Sequence, residues 1–268
     1  MIAWAALLLL TFGWHAKNLP DANTIIQRSV QANEVDWDAY PKYEFDEIDF
    51  LPGGHNRTYH VTMILGSPYE QLIGVDGTPL APDEVALENR KLQRVIEARR
   101  DETATQRARR VAIYQRDRDR DHLLMDQLTL AFNFKVTGEQ KIGPYKVYVL
   151  KAKIRPGYHP PNRDAQVLTG MEGQLWVDEQ TFQWVKVEAH VIQPVTIEGF
   201  LATVEPGTRF ELEKMPVGDG VWLRQHFSMH ARAKIFFLIP HHDQEEETYS
   251  NYHLKDPDKP ADSSEPAH

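Results

Sequence analysis

The densest collection of side chains able to grip a metal ion or move a proton is His241-His242-Asp243-Gln244-Glu245-Glu246-Glu247. Adjacent side chains of an extended segment face opposite ways, so His241 and His242 are poorly placed to chelate one ion. The run reads as a polar turn. His226 and His230 have the spacing of a helical metal pair, yet their segment reads as a strand, on which they lie about 13 Å apart. The serines (Ser29, Ser67, Ser228, Ser250, Ser263, Ser264) include none in a Gly-x-Ser-x-Gly elbow. No phosphate-cradling glycine loop and no zincin helix is present either. An enzymatic reading would need His226, His230 and Glu188 to converge in one cleft. Trp176, Trp184 and Trp222 could stack on sugars, but aromatics on strands more often serve as core or cross-strand partners. The residues therefore predict no catalytic group, no metal and no cofactor, and turn attention to the elements that carry them.

Composition narrows the classes further. The chain has 268 residues, 41% hydrophobic and 26% charged, with a formal net charge of −9 and no cysteine. Those proportions fit a soluble globular protein without a disulfide framework. The acidic balance excludes a general affinity for nucleic acid or for anionic lipid headgroups. Residues 1–14 form the one strongly apolar stretch. It is shorter than the ~18–20 residues of a bilayer span and fits the apolar part of an export signal with a candidate cleavage site after Ala16, the alternative being a buried or anchoring N-terminal helix. Once the leader is removed, no membrane span is expected.

Asp21–Asn33 reads as a helix capped by Asp21, with Ile25, Ile26 and Val30 on one face. Tyr43–Phe50 and Arg57–Leu65 read as a hairpin about a turn-rich separator, and Tyr69–Val75 as a third strand. Residues 83–128 contain no Gly or Pro and hold 11 basic against 10 acidic residues, a two-helix insertion breaking near Thr103. Within it, Arg116-Asp117-Arg118-Asp119-Arg120-Asp121 reads as a solvated helix face. Strands resume at 130–136, 145–154, 173–178, 182–192, 197–204, 209–215, 221–239 and 246–253, joined by short turns such as Thr137-Gly138, which describes a meander. Pro156–Asp164 is an irregular loop of the kind that forms rims and lids. Residues 17–255 form one domain, and 256–268 a polar, proline-rich tail expected to be disordered.

The return arm after Gly173–Asp178 alternates with period two. Val185, Val187, Ala189 and Val191 point one way, and Trp184, Lys186, Glu188 and His190 the other. The same alternation assigns Phe210 and Leu212, then Val221, Leu223, Phe227 and Met229, to the apolar face. Val185, Val187, Phe210, Leu212, Leu223, Phe227 and Met229 are thus the candidate lining of a hydrophobic site. Each buried methylene of an acyl chain contributes ~0.8 kcal/mol, so about a dozen carbons could give micromolar binding. The same faces could instead pack fully against the helices, and alternation alone does not choose between the two.

Gly143–Leu150, the Gly173–Glu188 hairpin with its Gly-x-Leu-Trp-Val-Asp arm, and Gly218-Asp219-Gly220-Val221-Trp222-Leu223 resemble the LolA/LppX-like superfamily of bacterial envelope proteins, the lipoprotein-sorting or carrier-like group. The resemblance implies an α+β, mainly β fold: an incomplete, strongly curved antiparallel barrel with helices over its concave side. It also implies a periplasmic protein holding an acyl chain or other lipid group without catalysis. The insertion is longer and more charged than the family's usual lid, so the expectation is limited to the fold and a hydrophobic ligand. The alternative reading is an envelope interaction module that docks a protein partner through that insertion.

Overall fold

The computed structural model describes residues 19–197, 202–235 and 239–255, so the predicted leader and C-terminal tail lie outside the described residues. The chain opens with helix α1 (Ala22–Ala39), whose first N–H groups, from Asn23 and Thr24, donate to the Asp21 carboxylate. That cap satisfies amides that a helix start leaves unpaired. A 3-10 turn (Tyr40–Lys42) leads into β1 (Tyr43–Phe50), β2 (Asn56–Ile64), β3 (Ser67–Val75) and the two-residue β4 (Thr78–Pro79). Next come helices α2 (Pro82–Arg100) and α3 (Ala104–Ala131), separated where Thr103 caps α3. The remaining elements are β5 (Phe132–Ile142), β6 (Tyr145–Ile154), a 3-10 helix (Asp164–Gly170), β7 (Met171–Asp178), β8 (Trp184–Val191), β9 (Val195–Ile197), β10 (Ala202–Val204), β11 (Arg209–Gly218), β12 (Val221–Ile235) and β13 (Ile239–Leu254).

The strands form one antiparallel sheet in the order β4-β3-β2-β1-β13-β12-β11-β8-β7-β6-β5, with β9 and β10 paired beside β12. Walked from β5, it is a meander to β13, onto which the first hairpins are added through β1. The sheet is an open barrel. Its two edges are the strands that flank the helical insertion in sequence, so α2 and α3 are the connection across the gap. The 28 residues of α3 give it a length of about 42 Å.

The insertion is fastened at both ends. Arg99 donates to the carbonyls of Ile64, Ser67 and Pro68, and Arg110 reaches Ser67 and Leu65 while pairing with Glu102 at 2.6 Å. At the other end Met125 and Leu128 pack on the cluster formed by α1 and the β6–β8 strands. Arg118 departs from the expected solvated face: its guanidinium lies 4.3 Å over Trp37 and donates to the Trp37 carbonyl. The flanking Arg116, Asp117, Asp119 and Arg120 are exposed as expected.

Three other expectations change. Thr137-Gly138 is a bulge inside β5 rather than a turn, because the register slips between Val136 and Gly138 while pairing to β6 continues. Residues 197–204 do not make one strand, since Val195–Ile197 and Ala202–Val204 pair with each other. The 241–247 run is strand and not turn. It belongs to β13, and its register with β1 ends at Asp49↔Glu247, so residues 239–246 pair only with β12. Over that stretch β13 is an edge strand, its other side left unpaired by β1, and edge strands are commonly polar.

Candidate functional site

β8 decides which predicted residues can share a site. Trp176 pairs with Lys186 and Val177 with Trp184, so Val185 is the extra residue of a bulge. Trp184 consequently turns toward α1 and joins Ile25, Ile26, Leu150, Leu175 and Val177, with Val187 packed against the same cluster. Val185 goes to the opposite face, with Val147, Val149, Trp176 and Trp222. There it lines an outer groove of about 440 Å³ beside Tyr145, Lys186 and Met215. The alternation read from the sequence therefore holds from Val187 onward and fails at Trp184 and Val185, because the bulge resets it.

On the helix-facing side the register assembles a strip. Val187 pairs with Leu212 and Leu212 with Phe227; one step along, Ala189 pairs with Phe210 and Phe210 with Met229. All of these side chains are half-buried. At ~4.8 Å per strand the strip spans about 10 Å from β8 to β12. Five of the seven predicted residues, Val187, Phe210, Leu212, Phe227 and Met229, thus meet on one face. Leu223 does not join them; it is 3% exposed in a cluster with Ala39, Tyr43 and Val221.

The strip ends in acid. Phe227 pairs onward with Glu247 and Met229 with Glu245, while Glu247 pairs with Asp49 of β1. One carboxylate oxygen from each of Glu47, Asp49 and Glu247 falls within 4.8 Å of the others. Burial, reinforced by the neighbouring carboxylates, pushes Glu47 up to about 8 and Glu245 up to about 7. Burial likewise raises Asp49 and Glu70. Like charges on a half-buried wall disfavour joint ionisation, so Glu47 keeps its proton at neutral pH and can donate a hydrogen bond. Tyr249, buried beside Phe45 and Val61, donates its hydroxyl to Glu247.

Between the dry and the acidic parts sits a buried ion pair. Asp36 of α1 accepts from Lys214 Nζ, from the Trp222 amide (2.8 Å) and from Gln183 (3.1 Å), and Lys214 also donates to Asn33 (2.7 Å). Burial pushes the Asp36 carboxyl up and the Lys214 ammonium down, against the pull of their own pairing. Four hydrogen bonds to one charged pair tie α1 to β11, β12 and the turn before β8.

Neither the acidic wall nor this pair was foreseen. The signals were present: Glu47 and Asp49 continue the Tyr43, Phe45 alternation of β1, and Asn33 and Asp36 continue the buried Ile25, Ile26, Ser29 stripe of α1. The enzymatic constellation does not form. His226 lies 3.7 Å from Glu246, Glu188 lies 3.0 Å from Lys186, and neither joins a convergent group of metal-ligating atoms among the described residues.

No protein-family model matches the chain, and no curated protein matches it. Solved structures similar to it include a DUF1329 family protein from Desulfovibrio piger (9% identity, TM-score 0.32, covering 87% of this chain and 92% of that one). An outer membrane lipoprotein-sorting protein domain from Vibrio parahaemolyticus is similar at 9% identity and TM-score 0.33, over 87% and 95% of the two chains. A LolA superfamily protein from Nitrosomonas europaea is similar at 11% identity and TM-score 0.33, over 89% and 95%. Among the described residues no helix is long and apolar enough to cross a membrane.

Proposed function

We propose that this chain is a non-catalytic binding or carrier protein of the periplasm, and that a lipid or other hydrophobic ligand lies along the strip of Val187, Phe210, Leu212, Phe227 and Met229. The observation that supports the reading is the half-buried state of these five side chains on the helix-facing wall, next to a region that α1 fills completely. Apolar groups left half-wet inside a curved sheet gain free energy from any apolar occupant, about 25 cal/mol for each Å² they lose from water. The raised carboxyls at the end of the strip refine the reading. A fatty-acid anion would meet carboxyl groups there, whereas a neutral or cationic head would accept from or pair with them.

The test is displacement of an environment-sensitive fluorescent acyl probe from the full chain by dodecylamine, monolauroylglycerol and laurate. The amine and the glyceride should displace it, and laurate at least tenfold less well at pH 7. Phe227→Asp should remove probe uptake while leaving the helical and strand circular dichroism intact. Absence of probe uptake by the unaltered chain defeats the proposal.

A second reading, docking of an envelope protein on the insertion, is favoured by the exposure of Val85, Leu87 and Ile113 on α2 and α3. Because these helices join the two sheet edges, deleting them would disrupt the fold, and surface substitutions are the proper probe. Leu87→Asp with Ile113→Asp should then abolish recovery of an envelope partner while probe uptake persists; unchanged recovery rejects docking there.

A further inference from the structure

The outward face of β1, β2 and β13 carries a cluster that the ligand-binding reading does not use. Glu44 pairs in register with His253 and Asp46 with His60, so four groups from three strands stand side by side. A bulge in β13 makes this possible. The β1–β13 register slips between Glu44 and Asp46, and Asn251 adopts a φ of 54°. The slip brings His253 opposite Glu44 and swings the Asn251 amide onto Asp46 Oδ2 at 2.7 Å. Bulges of this kind commonly re-aim side chains at sites.

The hydrogen bonds around the cluster settle which atoms remain available. His60 Nδ1 lies 2.8 Å from Asp46 Oδ1. Carboxylate oxygens accept, so Nδ1 of His60 is the donor of this pair. His253 Nδ1 lies 3.0 Å from the Asn251 carbonyl, which also only accepts. Both rings therefore have Nδ1 committed as a donor. The ring atoms left to face Glu44 are the two Nε2 nitrogens, and Thr62 donates to the far oxygen of Glu44.

Three ligand atoms, one each from Glu44, His60 and His253, fall within 4.8 Å of one another. His253 Nε2 stands 3.3 Å from Glu44 Oε2. Two ligands ~2.0–2.1 Å from a tetrahedral ion are about 3.3 Å apart, so that pair already has the separation of two vertices of a zinc site. A neutral Nε2 and a carboxylate oxygen would repel each other at this distance unless a proton or a cation lay between them. We propose that Glu44, His60 and His253 bind a divalent first-row transition metal, Zn²⁺ by preference, with Asp46, Asn251 and Thr62 orienting the ligands. Imidazole nitrogens held through their far N–H by a carboxylate or a carbonyl are the usual supporting arrangement of such ions. Two nitrogens and one oxygen select zinc-like ions over Mg²⁺, which prefers oxygen ligands alone. His253 is more than half exposed, which gives the ion an entry path and leaves a position for water.

The experiment is titration of the full chain with Zn²⁺ against a competing chromophoric chelator, with Mg²⁺ as the control cation. One equivalent should bind to the unaltered chain and to His226→Ala, and Mg²⁺ should not compete. His60→Ala and His253→Ala should each lose that equivalent. Asp46→Asn should weaken it by about 10- to 100-fold without removing a ligand. Circular dichroism reports whether each variant folds. X-ray absorption on the Zn-loaded unaltered chain should count two imidazoles in the first coordination sphere, independently of any variant. Failure of the unaltered chain to take up Zn²⁺ would leave only a His253–Glu44 side-chain contact and overturn the proposal. Retention of the equivalent by folded His253→Ala, or an absorption spectrum without two imidazoles, would place the ion elsewhere and overturn it as well.

Discussion

One sheet builds two unlike walls. Along β6, β7 and β8 the helix-facing side chains are Tyr148, Leu150, Leu175, Val177 and Trp184, and α1 presses Ile25 and Ile26 into them until Leu150 and Val177 are fully buried. Along β12, β13 and β1 the same side of the sheet buries Phe45 and Tyr249 but leaves Phe227, Met229, Glu245, Glu247, Glu47 and Asp49 only partly buried. The difference is position relative to α1. Where the helix lies, apolar side chains close-pack and water is expelled; beyond its reach the wall keeps polar groups whose burial is incomplete. A half-barrel that binds a ligand needs this asymmetry, because a uniformly filled interior leaves nothing for an occupant to cover.

The comparison breaks first at the junction. Lys214→Ala strips the buried Asp36 of its partner and should cost about 3–5 kcal/mol of unfolding free energy, measured by urea denaturation. A loss below about 1 kcal/mol would mean that the two walls are not tied together through this pair. Truncations within each wall sharpen the contrast. Leu150→Ala should cost about 2–5 kcal/mol and leave probe binding unchanged in the folded fraction. Leu212→Ala, on the half-buried strip, should cost about 1 kcal/mol yet weaken probe binding severalfold. Equal stability losses at the two positions would erase the distinction between filled core and open strip.

The smallest effect is the most specific to the acidic wall. Glu47 binds its proton more tightly when folded, at about 8, than its ordinary value of 4.5. Its stabilisation is complete below about 4.5 and is lost as the pH rises toward 8, because the folded state must then carry an unwelcome charge. The denaturation midpoint should fall across that window, and Glu47→Gln should flatten the decline. A midpoint that rises over the same window in the unaltered chain would contradict the reading of this wall.

Gly173 illustrates how much of the fold local pattern could carry. A side chain there would put Cβ 2.6 Å from the Glu188 carbonyl, so the hairpin motif that stood out in the sequence needs glycine for close approach of β7 and β8. The caps at Asp21 and Thr103 were equally legible, since a helix start advertises its capping side chain within a few residues. Of the strip, Leu212, Phe210, Phe227 and Met229 were readable because period-two alternation survives along β11 and along that part of β12. Val185 was not readable, because a bulge is set by the register of β8 on β7 and leaves no mark in the alternation itself. Glu47, Asp49 and Glu247 escaped for a related reason: carboxylates 200 residues apart become neighbours only when β13 pairs with β1.

By itself the amino-acid sequence determined the elements, their caps, the two-helix insertion and most of the apolar face, since these depend on contacts between residues a few positions apart. Tertiary structure alone decided that the insertion bridges the sheet's two edges, that Trp184 and Val185 exchange faces, and that acids close one end of the apolar strip. Those outcomes depend on which distant strands pair and in what register, and pairing energy is a property of the assembled sheet rather than of any segment.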